Sequence, residues 1–132
     1  MAIRYRITKR SNSIQNKQEQ YIMQAVHTGK IDLDFISSAI SNECSLHEVD
    51  VKAVLMALGI KLDYYLQRGN IVDLGDVGKF KMGFKSTAED DPAKLSPEKN
   101  IQKYHINYQP SVKLKRKLKG EVTTYKEGSR SV

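Results

Sequence analysis

Ile71-Val72-Asp73-Leu74-Gly75-Asp76-Val77-Gly78-Lys79-Phe80-Lys81-Met82-Gly83-Phe84-Lys85 is the stretch that decides how the rest of this chain is read. Its first four residues have the β-branched, alternating character of a short strand, with Val72 and Leu74 on one side. Gly75 and Gly78, three apart, suit a tight reversal that needs positive φ at one or both sites. Phe80, Met82 and Phe84 then alternate with Lys79, Lys81 and Lys85, which predicts a strand with one apolar and one basic face. A hairpin of this kind cannot bury its apolar face alone, so another element must cover it.

Upstream, Glu48 to Arg68 is the longest helical pattern and ends at Gly69. Val51, Val54, Leu55, Leu58, Leu62, Tyr65 and Leu66 form one apolar stripe; Ala53, Ala57, Ile60 and Tyr64 form a second on another face. A helix apolar on two sides is buried on two sides. A chain of 132 residues has little else to cover both, which points to a partner subunit. Ser45-Leu46-His47-Glu48 has the form of a capping box for this helix, with a start at His47 and Asp50 as the alternative. Before it, Leu33, Ile36, Ala39, Ile40 and Cys44 predict a first short helix capped by Asp32 or Asp34. At the N-terminus, Ile3-Arg4-Tyr5-Arg6-Ile7 reads as a half-buried strand with a cationic outer face, and Lys9 to Gln18 as a loop. Gln20 to His27 fits strand or helix; pairing with Ile3–Ile7 is the preferred reading.

Downstream, Ser86 to Gln102 is polar and aperiodic, and Ala88-Glu89-Asp90-Asp91-Pro92 is strongly acidic. Lys103 to Gln109 alternates Tyr104, Ile106 and Tyr108 against His105 and Asn107, a returning strand whose aromatics fill a core or dimer interface rather than stack on bases. Ser111 to Lys119 is a short basic helix carrying Leu114 and Leu118. Glu121 to Val132 reads as a frayed polar tail.

A long helix ending in Gly69, a strand, then Asp76-Val77-Gly78-Lys79-Phe80 in the place of a Gly-x-Gly-x-Phe hairpin resembles the bacterial histone-like HU and integration host factor family. Tyr108-Gln109-Pro110-Ser111-Val112-Lys113-Leu114-Lys115 is similar to that family's aromatic-basic-Pro-Gly-Lys-x-Leu-Lys run. The resemblance covers about residues 31 to 119, and the N-terminal extension is similar to that of longer HU-type proteins from gut bacteria of the Bacteroides group. It implies an α+β, HU/IHF-like fold with two N-terminal helices, a β-hairpin sheet with an arm, a short C-terminal helix and an added N-terminal β element. The expected division is a β extension (1–30), an HU-like DNA-binding domain (31–119) and a flexible polar tail (120–132). The resemblance further implies an intertwined homodimer, or a heterodimer with a related protein, that binds and bends double-stranded DNA. The chain departs from the family at the arm, where Asp90-Asp91-Pro92 and Ser96-Pro97-Glu98 stand instead of Arg-Asn-Pro, and at Pro110-Ser111-Val112 instead of Pro-Gly-Lys.

Net charge is +7 and unevenly spread. Residues 1–30 carry six basic and one acidic residue, and residues 101–132 eight and two. Residues 31–69 carry three basic and six acidic residues, and residues 70–100 five and six. Basic ends favour a polyanion, nucleic acid first and acidic membrane second. No apolar run reaches transmembrane length and no signal-peptide pattern follows Met1, so a soluble cytoplasmic, nucleoid-located protein is expected. The lone Cys44 excludes an intramolecular disulfide framework.

No catalytic constellation can be assembled, and no cofactor, metal or small-molecule substrate is expected. Cys44-Ser45-Leu46-His47 has the spacing of half a zinc site with no second Cys to complete a Cys-rich one. Gly75 to Lys79 lacks the spacing of a phosphate loop. His27, His47 and His105 read as ordinary surface or cap histidines. The expected phosphate contacts are Lys79, Lys81 and Lys85 on the hairpin and Lys113, Lys115, Arg116 and Lys117 on the last helix; Lys94, Lys99 and Lys103 on the arm are second choices. The alternative function is a structural or protein-interaction dimer of the same fold with weak or no DNA binding, which the acidic arm and the missing Pro-Gly-Lys favour. A membrane-surface role ranks third, since only Val112, Leu114 and Leu118 could insert.

Overall fold

The Ile71–Lys85 stretch folds as a reversal between antiparallel strands in the computed structural model, which describes residues 2–11 and 19–128. The chain divides into one unit of residues 32–115 and another formed by residues 1–31 with 116–132.

In the first unit, β3 (Val72–Asp73) and β4 (Lys79–Ser86) flank a 3-10 turn at Gly75–Val77. Both glycines of the turn take positive φ, 64° at Gly75 and 129° at Gly78. The Asp73 carboxylate accepts from the Gly75 amide at 2.9 Å, and the Gly78 carbonyl accepts from the Leu74 amide at 2.9 Å. β5 (Ile101–Gln109) adds to β4, giving the antiparallel order β3-β4-β5.

The helices α1 (Leu33–Glu43) and α2 (Glu48–Gln67) precede this sheet. Asp32 caps α1, its carboxylate accepting from the Phe35 amide at 2.9 Å. α2 starts from His47 rather than Ser45, so the Ser-x-x-Glu capping box does not form and the alternative start is the one adopted. Its C-terminus closes on Gly69, at φ 83°, with the Gly69 amide on Leu66 and the Asn70 amide on Tyr65. This double closure needs a residue without a Cβ penalty, which explains the glycine. α1 packs on α2, and Ser37 of α1 is fully buried and donates its hydroxyl to the Leu33 carbonyl at 2.7 Å. Lys52 is ion-paired with Asp34 at 2.5 Å. Only Val51 and Leu66 are buried apolar residues among those described. Val54 and Ile60, one from each apolar stripe, remain 61% and 68% exposed, so neither stripe is closed by the chain itself.

The segment after β4 is folded rather than extended as a ribbon. A 3-10 turn at Pro92–Lys94 and the one-turn α3 (Pro97–Asn100) occupy it, each with its proline in the first turn. Asn100 holds it together: buried, it donates to the Thr87 hydroxyl at 2.9 Å and the Glu89 carboxylate at 3.3 Å, and accepts from the Ser96 amide at 2.8 Å. Its carbonyl also accepts from the Thr87 amide at 2.9 Å. Asn100→Ala removes the side-chain partner of the Thr87 hydroxyl, the Glu89 carboxylate and the Ser96 amide and is expected to cost about 1–3 kcal/mol locally. Faster amide exchange at Ser96, with β4 and β5 unchanged, is the predicted signature.

The second unit joins the two ends of the chain. β1 (Ala2–Ser11) pairs antiparallel with β2 (Glu19–Val26) and parallel with β6 (Thr123–Lys126), in the order β2-β1-β6. The strand reading of Gln20–His27 is thus the correct one. Three expectations are corrected here. β1 runs through Lys9 to Ser11, where the polar, aperiodic composition predicts a loop, while residues 12–18 of that stretch lie outside the described residues. The tail read as frayed contains β6, because Thr123, Thr124 and Tyr125 are strand formers that find β1 as partner; residues 129–132 lie outside the described residues. The apolar face of β1 and β2 (Ile3, Ile7, Tyr21, Met23) is exposed rather than half-buried. α4 (Val112–Gly120) crosses the division between the units.

Arg6 and Glu127 latch the end of β6 to β1 through two hydrogen bonds, Nε to Oε2 at 2.6 Å and Nη2 to Oε1 at 2.7 Å. The Arg6 hydrogen bond, helped by the charges of Arg6 and Arg4, holds Glu127 below its ordinary carboxylate value. A carboxylate depressed on folding stabilises above its ordinary value, and that contribution is lost as pH falls through the lowered folded one. Amide protection factors across Thr124–Glu127, taken relative to the intrinsic exchange rate at each pH, are therefore expected to fall on acidification through that window. Glu127→Gln should remove the pH dependence there; an unchanged profile would exclude the latch.

Candidate nucleic-acid interface

Antiparallel register decides which side chains of the β4–β5 ribbon share a face. Phe80 lies opposite Tyr108, Met82 opposite Ile106 and Phe84 opposite Tyr104. The aromatic members are in ring contact, with centroids 5.0 Å apart for Phe80–Tyr108 and 6.0 Å for Phe84–Tyr104. This apolar face remains open in the single chain, with Tyr104 63% exposed.

The other face is the basic one. Lys79 lies opposite Gln109, Lys81 opposite Asn107, Gly83 opposite His105 and Lys85 opposite Lys103. Alternate residues of a strand repeat at about 6.8 Å, so Lys79 and Lys81 form a short cationic row that resumes at Lys85. Lys85 and Lys103 face each other directly, an arrangement that repels in the free chain and is relieved by an anion between them. Register therefore brings Lys103 together with the three hairpin lysines. His105 belongs to this face as well, since a Cβ added to Gly83 would lie 2.9 Å from its Nε2. Local pattern offers no reason to include it; its signal is the glycine opposite, which only pairing reveals.

The start of α4 is tied to the hairpin turn through Asp76 and Ser111, two of the positions that depart from the HU-type motifs. The Ser111 hydroxyl donates to the Asp76 carbonyl at 2.7 Å and accepts from the Leu114 amide at 3.2 Å, acting as the N-cap. The Asp76 carboxylate lies 3.6 Å from Lys113 Nζ, so this lysine has an internal counterion. Residue 76 thus anchors α4 twice, through its main-chain carbonyl to Ser111 and through its carboxylate to Lys113. Lys115, Arg116, Lys117 and Lys119 continue along α4, which is exposed along its length.

Lys94 and Lys99 lie beyond the paired strands, on the 3-10 turn and on α3, among Glu89, Asp90, Asp91 and Glu98. The ribbon register does not gather them with the other lysines. Cys44 is free and exposed at the end of α1. Among the described residues, no group of three or more His, Cys, Asp or Glu side chains could hold a metal ion. No described helix is long and apolar enough to cross a membrane.

The profile of HU-HIG, an HU domain fused to wHTH, Ig or glycine-rich motif, matches residues 1–126. The chain belongs to the HU-HIG family. The matched span of this HU-HIG chain takes in both units, including β1, β2 and β6. Its fold is similar to the crystal structure of a candidate bacterial DNA-binding protein from Bacteroides vulgatus, at a TM-score of 0.67 and 13% identity. That similarity covers 99% of this chain and 50% of the other, so the HU-HIG chain spans half the length of its solved neighbour. No curated protein matches it.

Proposed function

We propose that this HU-HIG chain binds double-stranded DNA as a homodimer, without sequence preference, in the manner of a nucleoid architectural protein. The observation that carries the reading is the basic face of the β4–β5 ribbon, where Lys79, Lys81, Lys85 and Lys103 stand together and the last two repel unless an anion separates them. Flexible cations at this spacing contact phosphates and carry no base readout. HU-HIG membership and the fold of the Bacteroides vulgatus neighbour support the same reading. Kinking by an inserted proline is not part of it, because Pro92 and Pro97 open short helical turns beside carboxylates.

A second reading, a protein-interaction dimer, is favoured by the acidic segment after β4 and by the open apolar faces. Salt separates the two. Fluorescence anisotropy on unrelated duplexes of about 30 bp should show affinity falling steeply with salt, with a slope near 0.9 per phosphate neutralised. Reversal of Lys113, Lys115 and Lys117 to Glu should weaken binding to all sequences alike and flatten that slope. Absent or salt-insensitive binding would transfer the function to the protein-interaction reading.

A further inference from the structure

The two basic ends of the sequence are one unit in the fold. Residues 1–31 with 116–132 hold eleven basic and three acidic residues, net +8. Residues 32–115, which carry both long helices and the lysine ribbon, hold eleven basic and twelve acidic residues, net −1. The cationic excess of the chain therefore belongs to the unit built around β2-β1-β6. On β1, strict alternation puts Arg4, Arg6, Thr8 and Arg10 on one face, while Ile3, Tyr5, Ile7 and Lys9 take the other. Across the pairing, Gln24 lies opposite Arg6 and Gln20 opposite Arg10, so hydrogen-bonding amides flank the arginines. Arg4 to Arg10 spans about 20 Å of strand. That is close to the axial rise of six base pairs at about 3.4 Å each.

We propose that the Arg4-Arg6-Arg10 face of the β2-β1-β6 sheet is a second duplex-DNA contact surface, separate from the lysine ribbon. The proposal rests on the DNA-binding reading. Duplex suits the face better than a lipid surface, because its apolar members Ile22 and Val26 are half-buried and leave nothing to insert. Three carboxylates belong to the unit. Glu19 is paired with Lys9 at 2.7 Å on the opposite face, and Glu121 follows the end of α4. Glu127 grips Arg6 with both oxygens. Glu127 is thus an internal competitor that a phosphate must displace, and Arg10 has no side-chain partner among the described residues. Arg4 stands further back, with its Nε shielded and unpaired.

The competition makes the test two-signed. In the full chain, Arg6→Gln with Arg10→Gln should lower affinity for a 30 bp duplex on the order of tenfold per contact at 0.1 M salt, and flatten the salt slope by nearly one per contact. Glu127→Gln should raise affinity, because it frees Arg6. Lys9→Gln removes one charge from the same strand on the other face and should change affinity by less than about twofold. Far-ultraviolet circular dichroism and melting curves establish that each variant is folded. Wild-type affinity and slope in the arginine variant, with loss on Lys79→Gln and Lys81→Gln, would overturn the second surface and leave DNA binding standing. Binding to phosphatidylserine vesicles with none to duplex would overturn both.

Discussion

Gly78→Ala is expected to destabilise the 32–115 unit by more than about 3 kcal/mol, whereas Gly75→Ala should cost about 1–2 kcal/mol. Both glycines have positive φ, but their surroundings differ. Gly75, at φ 64°, has nothing within 4 Å of where a Cβ would stand, so alanine there meets only the left-handed backbone penalty. Gly78 sits at φ 129° and ψ −169°, a region that is essentially glycine-only. A Cβ there would also collide with the Gln109 carbonyl oxygen and lie 2.8 Å from Tyr108 Cε1. Neither neighbour can yield cheaply. Gln109 is paired to Lys79 in the ladder, and the Tyr108 hydroxyl donates to the Val77 carbonyl at 2.6 Å. Relieving the clash therefore means pulling the end of β5 off β4, which would scatter the lysine face. Urea midpoints of the two variants measure the difference directly; equal costs would mean that β5 does not press on the turn.

The same hairpin shows what was legible in the sequence. Phe-Lys-Met alternation defines β4 and its basic row without any tertiary knowledge, since strand period alone assigns the faces. Gly69 likewise marks the end of α2. Pairing is what local pattern cannot supply. Nothing near Lys85 says that Lys103 is its partner, nor near Gly83 that His105 covers it; only the register does. The β1–β6 pair is further out of reach, because it joins the ends of the chain through a four-residue strand whose weak local signal looks like a tail. The segment after β4 failed for another reason. Its order comes from side-chain hydrogen bonds gathered on Asn100, which leave no hydrophobic period to read. The departure at Ser111, which reads as weakening the DNA surface, instead caps α4 and bonds the Asp76 main-chain carbonyl. Its effect is to anchor α4.

Val54→Glu combined with Ile60→Glu is expected to abolish dimerisation and with it most of the DNA affinity. Helical geometry puts the two positions on different faces of α2, one in each apolar stripe, and both are exposed in the single chain. If those faces are solvent-facing in solution, two glutamates there are ordinary surface substitutions worth within about 0.5 kcal/mol each. If a second copy covers them, each carboxylate is driven into an apolar interface without a partner, a cost of several kcal/mol per site. The outcomes are far enough apart for one experiment. Sedimentation equilibrium should return a dimer for the wild type and a monomer, folded or not, for the variant. The wild-type melting temperature should rise with protein concentration, as it must when folding and association are linked. Duplex affinity should fall on the order of 100-fold or more, because two basic surfaces on one particle bind with an advantage that separate copies lack. A monomeric wild type with a concentration-independent melt, matched by an equally stable variant, would mean that α2 carries its apolar stripes for some other partner. The phosphate contacts of a single chain would then have to account for any DNA binding alone.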